Sequence, residues 1–205
     1  MPIKNIFRSI IGLSALLLVQ APAFAATPPA AMVCESCHGT AGLGTPNLAP
    51  MLAGMDKDYL VEQINHFKNG NRNNPSMTSM VMTLPTPESV QQVAAFFASL
   101  PAPTITDIEK RGDNVIISDP TRKLVYQGDW TRNIPACATC HGPSGLGVAH
   151  FPRLASQHAD YITSQLTAWQ TKQRTGDHNN VMATIAQQLT ASEIQHLAQY
   201  FAAIK

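Results

Sequence analysis

"CESCHGTAGLG" at residues 34–44 returns as "CATCHGPSGLG" at residues 137–147, 103 positions further on. The two stretches contain all four cysteines of the chain. Each reads Cys-x-x-Cys-His, the attachment signature of c-type haem. The reason is geometric. One turn of helix sets two thiols where they reach the two vinyl groups of a porphyrin, and the next residue then lies under the iron. Cys34 and Cys37 would hold one haem with His38 beneath it, and Cys137 and Cys140 a second with His141. Other uses of the cysteines fit less well. Two disulfides are the first thought for an exported chain, yet both pairs share one short spacing and a following His. A thioredoxin-like site needs one copy beside a sheet-forming pattern, and no such pattern is present. A structural zinc site needs four ligands, whereas each motif offers three.

The repetition extends well beyond the cysteines. "PMLAGMDKDYLVEQINHF" (50–67) is followed in the second copy by "PRLASQHADYITSQLTAW" (152–169). Pro50, Leu52, Ala53, Asp58, Tyr59 and Gln63 recur as Pro152, Leu154, Ala155, Asp160, Tyr161 and Gln165. "VQQVAAFFASL" (90–100) matches "IQHLAQYFAAI" (194–204). Two long copies mean two copies of one domain, since solenoid repeats are shorter and more numerous. Expected boundaries are 26–100 for the first domain, 101–118 for a linker or insert, and 119–205 for the second.

Both copies read as all-α. Tyr59, Leu60, Ile64 and Phe67 form an apolar stripe at helical spacing, twinned by Tyr161, Ile162, Leu166 and Trp169. Val90, Val93, Ala94, Phe97 and Leu100 form another, echoed by Ile194, Leu197, Ala198, Phe201 and Ile204. All four stripes are read as core. Thr86 before Pro87 starts a helix, Thr190 with Glu193 makes a capping box, and Asp119-Pro120 opens a short helix over 120–127 that Gly128 ends. Between the copies, "TITDI" and "NVIIS" flank a turn-like "RGDN", so 104–118 is read as a hairpin or an extended strap. The "RGD" within it is too short to count as an adhesion signal.

The first 25 residues read as a secretory signal peptide. Lys4 and Arg8 precede the apolar run "IIGLSALLLV" (10–19), and Ala23-Phe24-Ala25 is a small-x-small cleavage site. The run is short for a membrane span. Cleavage after Ala25 leaves 180 residues, exported and soluble, with the formal charge moving from +1 to −1. Residues 26–100 carry 3 basic and 5 acidic side chains, residues 101–205 carry 9 and 8. That balance excludes a nucleic-acid partner, which needs a strong basic excess.

A six-coordinate haem needs a distal ligand. Met77 in "RNNPSM" (72–77) and Met182 in "DHNNVM" (177–182) occupy equivalent places, read as Asn-rich loops before the last helix. Met80 and Met82 compete with Met77, and His178 competes with Met182. Pro50 and Pro152 sit where a backbone carbonyl would orient the proximal His through its other ring nitrogen. Gly39, Gly42 and Gly44, with Gly142, Gly145 and Gly147, would let the backbone pass close to a flat porphyrin. Arg72 and Arg174 are near-equivalent candidates for haem propionates, although a solvated arginine is the plainer reading of each. His66, His150, His158 and His196 recur at no matched site and are read as surface or supporting residues.

On these residues the chain resembles the two-domain di-haem cytochromes of the cytochrome c4 family, from about Val33 to Ile204. "IPACATCHGPSGLG", "FPRLASQHADYITSQL" and "LTASEIQHLAQYF" carry the resemblance in the second copy, and "RNNPSM" and "VAAFFASL" in the first. The 104–118 insert and "LPTPESV" (84–90) depart from it. The resemblance implies two tandem class I cytochrome c domains packed together, each with a covalent haem c and His–Met axial ligands. It implies a monomeric periplasmic carrier of single electrons, not an enzyme, loosely associated with the inner membrane. Its partners would be redox proteins, such as a quinol-oxidising complex or a terminal oxidase. The competing readings are a di-haem peroxidase, a thiosulfate-oxidising cytochrome, and the cytochrome subunit of a periplasmic dehydrogenase. With only about 20 residues between the copies, the two haem edges are expected to face each other.

Overall fold

The computed structural model describes residues 27–106, 108 and 116–205. The expected signal peptide and its cleavage site lie outside the described residues, as does the centre of the expected 104–118 hairpin. Among the described residues the regular structure is helical, and β-pairing is limited to isolated bridges. The all-α expectation holds.

The first half contains α1 (Pro29–His38), α2 (Lys57–Asn69), α3 (Pro75–Val81) and α4 (Pro87–Ser99). The second contains α5 (Pro120–Tyr126), α6 (Cys137–His141), α7 (Ala159–Gln170), α8 (Val181–Gln188) and α9 (Ala191–Ala203). The Cys-x-x-Cys-His segment ends the ten-residue α1 in the first half but forms the five-residue α6 in the second, where a separate α5 and a turn at Trp130–Arg132 precede it.

Local chemistry sets the helix ends. The Thr86 hydroxyl accepts from Ser89 N and the Ser89 side chain answers at Thr86 N, so α4 opens on a reciprocal cap. Thr190 and Glu193 do the same for α9, as their spacing predicts. Asp119 caps α5 through Arg122 N at 2.7 Å. Each such cap stabilises its helix by about 1 kcal/mol.

In each half the helix that follows the Cys-x-x-Cys-His segment packs against the last, α2 on α4 and α7 on α9. Leu60, Val90, Val93, Ala94, Phe96 and Phe97 are buried in the first core, and Phe67 is buried under the Arg72 guanidinium. Ile162, Leu166, Trp169, Ile194, Leu197, Ala198 and Phe201 are their counterparts in the second, closed by Val125 and Ile134. Phe97 is 1% exposed, and truncating such a residue to Ala costs about 3–5 kcal/mol. Tyr59 and Tyr161 depart from the expected core stripes. Their hydroxyls leave the cores and accept from Arg174 and Arg72 of the opposite half. A phenol at the core edge keeps its ring packed while its polar tip finds a donor.

The halves are bound to each other through main chain as well as side chain. Asn73 N donates to Gln173 O at 2.8 Å, Thr175 N to Asn71 O at 2.6 Å, and Asn47 N to the Asp160 carboxylate at 2.9 Å. Among the described residues no helix is long and apolar enough to cross a membrane.

Candidate functional site

Each Cys-x-x-Cys-His segment is helical, so its two thiols, three residues apart, share one face. His38 and His141 are the last helical residues, and each is buried, 4% and 7% exposed. The ring Nδ1 of His38 lies 2.8 Å from the Pro50 carbonyl, and that of His141 lies 2.8 Å from the Pro152 carbonyl. A carbonyl only accepts, so Nδ1 carries the proton and Nε2 keeps its lone pair free. Burial lowers the pKa of both imidazoles, with the carbonyl bond opposing it. They are neutral donors of the kind a metal binds.

The loop after each motif makes that contact. Gly44 N donates to His38 O at 2.8 Å, and Gly147 N to His141 O at 2.7 Å. Gly44 has φ +72°, and a Cβ there would lie 2.4 Å from Ala49 O and 2.5 Å from Pro50 C. Only glycine lets the chain turn back tightly enough to present the Pro50 carbonyl. Gly42 and Gly145 serve packing within their own halves. A Cβ on Gly42 would meet Leu100 and Phe97, and one on Gly145 would meet Phe201, so both make room for the last helix of their half.

All four cysteines are free thiols. Burial raises the pKa of Cys34, and that of Cys137 to about 11. A redox-active dithiol needs the reverse, a stabilised thiolate.

Met77 and Met182 lie in the first turns of α3 and α8 rather than in the expected loops. The Asn74 side chain accepts from Met77 N at 2.9 Å, and the Asp177 carboxylate from Met182 N at 2.7 Å. One short polar side chain thus pins each methionine's backbone. Both methionines are partly buried, whereas Met80 and Met82 are 39% and 65% exposed. His178 points away from the second core, with its side chain 87% exposed and Nε2 3.6 Å from Glu62 of the first half. His150 likewise reaches across to Asp56 at 3.8 Å. His66 is largely covered, 4.0 Å from Glu62.

Arg72 and Arg174 are not solvated. Each is 6% exposed, and among the described residues neither has a carboxylate partner. Trp169 Nε1 is buried with no hydrogen-bond partner among the described protein atoms. Buried cations need anions and buried N–H groups need acceptors. Haem propionates supply both, so the residues present fit the cofactor. Sequence reasoning passed over Gln63 and Gln165, which bind these guanidiniums. The signal was there, as a polar residue repeated inside an apolar stripe.

Comparison with known proteins agrees with this geometry. A family model described as "Cytochrome c" matches residues 127–205, and one described as "Cytochrome C oxidase, cbb3-type, subunit III" matches 29–97. A thiosulfate dehydrogenase electron acceptor from Stutzerimonas stutzeri (strain A1501) is 39% identical over 210 residues, covering 97% of this chain and 95% of that protein. Cytochrome c4 from Thiocapsa roseopersicina is 36% identical over 172 residues, 82% of this chain and 85% of that one. The crystal structure of reduced recombinant cytochrome c4 from Pseudomonas stutzeri superposes with a TM-score of 0.72 at 31% identity, covering 85% of this chain and 94% of that one. The thiosulfate dehydrogenase TsdBA of Marichromatium purpuratum gives 0.73 at 37% identity, covering 84% of this chain but 36% of that longer one. Two haem-attachment helices in matched halves, with likeness along nearly the full length of such relatives, place the chain in the cytochrome c4 family of di-haem electron carriers, with two covalently bound haem c groups.

Proposed function

We propose that this chain carries single electrons in the bacterial periplasm, taking them from a thiosulfate-oxidising dehydrogenase and passing them toward a terminal oxidase. The observation that supports it best is the duplication of one closed donor set. Each half holds a histidine on a proline carbonyl and pins the backbone of a methionine at a helix start. An enzyme of the peroxidase type needs one site that differs from the other, with a position open to substrate.

Cys34 and Cys37 would form the two thioether links of the first haem, and Cys137 and Cys140 those of the second. His38 and Met77 would hold the iron of the first haem, and His141 and Met182 that of the second. When bound, the haem supplies the one-electron couple, and a His–Met pair holds it at a higher potential than two histidines would. The protein's own part is to hold His Nε2 and Met Sδ in place and to keep water out. Met77 is preferred over Met80 because Asn74 fixes its backbone and because Met80 is more exposed. Both share a face of α3 at i, i+3 spacing, which is why sequence position alone leaves them close.

The donor is favoured by the names of two relatives covering almost the whole chain, both thiosulfate dehydrogenase electron acceptors, at 39% and 35% identity. The experiment is to mix the oxidised di-haem protein with thiosulfate, with and without a purified thiosulfate dehydrogenase. Reduction of both haems only when the dehydrogenase is present is expected. Reduction by thiosulfate alone would make the chain itself the oxidising enzyme, and no reduction in either mixture would remove thiosulfate oxidation as the source.

A further inference from the structure

Six side chains meet between the halves in a near-symmetric array. Arg72 Nη1 donates to Gln63 Oε1 of its own half at 3.3 Å, while its Nη2 crosses to Gln165 Oε1 at 2.6 Å and to the Tyr161 hydroxyl. Arg174 mirrors it. Its Nη1 donates to Gln165 Oε1 of its own half at 3.0 Å, and its Nη2 crosses to Gln63 Oε1 at 2.8 Å and to the Tyr59 hydroxyl at 3.3 Å. The main chains of the two arginines pair as an antiparallel bridge. Each guanidinium also covers a ring of its own half, Arg72 over Phe67 at 4.6 Å and Arg174 over Trp169 at 4.0 Å.

Every protein partner in this array is formally neutral. Two buried cations share two amide oxygens, which sets like charges close together in a poorly solvated place. Burial, followed by the Arg72 charge, lowers the pKa of Arg174. Burial would raise the Tyr161 phenol, yet the Arg72 and Arg174 charges and the Arg72 hydrogen bond together lower it. Among the described residues no carboxylate pairs with either guanidinium. Removing one buried ion from water costs several kcal/mol unless it is compensated. Trp169 Nε1 adds a third buried donor, with no acceptor among the described residues.

We propose that this crossed guanidinium pair is a coupling element, built jointly by both halves and neutralised by the propionates of both haems, through which each haem's reduction potential depends on an arginine of the other half. A haem carries one more positive charge when oxidised than when reduced. A guanidinium nearby therefore disfavours the oxidised form and raises the potential, and low local polarity keeps the effect from being screened. Arg72 hangs from the first half but makes two of its three side-chain hydrogen bonds to the second. Its charge belongs to both sites. Arg72 and Arg174 are positioning residues here, since neither touches the iron. The inference rests on the two haems and not on the identity of the donor, so its failure would leave the carrier reading intact.

The test is a potentiometric titration of the full di-haem chain, with the two haems resolved. Arg72→Gln should lower both midpoints together, each on the order of tenfold in its reduction equilibrium, which is 59 mV for one electron. Arg72→Lys, which keeps the charge, should restore most of both shifts. Lys123→Gln removes a charge from an exposed position on α5 and should move neither midpoint. Arg174→Gln should reproduce the result from the opposite side, and it carries the test if Arg72→Gln fails to load both haems. A shift confined to the haem of the mutated half, no shift at all, or equal shifts from Lys123→Gln would each overturn the proposal.

Discussion

Gln157 of the second half clasps the main chain of Met51 in the first. Its Oε1 accepts from Met51 N at 2.9 Å and its Nε2 donates to Met51 O at 2.9 Å. Both residues are nearly inaccessible, 2% and 1% exposed. The amide satisfies one residue's donor and acceptor together, as a neighbouring strand would. Gln157→Leu keeps a similar volume and strands both groups. Each unpaired buried group costs about 1–3 kcal/mol, so the variant should lose roughly 2–6 kcal/mol of interface stability. Calorimetry should show one transition for the native protein and two for the variant. An unchanged single transition would mean that the halves hold together without this clasp.

Gly44→Ala tests the loop that serves His38. The substitution puts a methyl against Ala49 O and Pro50 at a positive φ. It should destabilise the first half by more than about 1 kcal/mol, and it should pull the Pro50 carbonyl away from the imidazole. The first haem's potential should change while the second stays constant. A first haem with unaltered potential would separate the carbonyl contact from redox tuning.

Met182→Ala should leave the second haem attached, because Cys137 and Cys140 still hold it. The Met-to-iron charge-transfer absorption should fall by about half, and one potential should drop, as loss of a thioether ligand requires. Met77→Ala should do the same at the first site, and Met80→Ala should do nothing. A spectrum unchanged by Met77→Ala but altered by Met80→Ala would shift the ligand by one helical turn.

Acid should weaken the second half in a defined window. The Asp129 carboxylate accepts from Thr131 Oγ1 at 2.6 Å and from Arg132 Nε at 2.7 Å, and Arg132 continues to Glu193 at 2.7 Å. Hydrogen bonds from Thr131, then Arg132, lower the Asp129 pKa from 3.8 to about 2, and Arg132 lowers Glu193 from 4.5 in the same direction. A folded pKa below the unfolded one adds stability that is complete above the unfolded value. The contribution should therefore be full above about pH 4.5 and fade down to about pH 2. Arg132→Gln should flatten that part of an acid unfolding curve followed by circular dichroism. Superimposable acid limbs would show that the network contributes nothing.

What could be read from the sequence follows from what is local. The two motifs, the apolar stripes and the Thr190–Glu193 cap each depend on residues a few positions apart, so their spacing carries the information. The proline carbonyls could be read because the repeat places Pro50 and Pro152 alike. Contacts between the halves leave no such periodicity. Gln157 stands where the first copy has Met55, and this difference between otherwise matched copies marks a contact that one half makes and the other receives. Arg72 and Arg174 looked like surface arginines because a sequence does not show that they are buried against each other. The helices holding Met77 and Met182 were missed because "NNPSM" and "HNNVM" look like loops, although Asn74 caps α3 and the Asp177 carboxylate accepts from the first-turn N–H groups of α8.

Whether the halves act as one carrier is tested most directly by rapid reduction of the intact di-haem protein at several protein concentrations. The interlocked arginines, the Gln157 clasp and the paired main chains predict that the two haems exchange an electron within one molecule. After partial reduction, redistribution between them should follow a single rate that does not change with concentration. A rate that rises in proportion to protein concentration would mean that electrons pass between molecules, and that the halves are independent carriers joined by a tether.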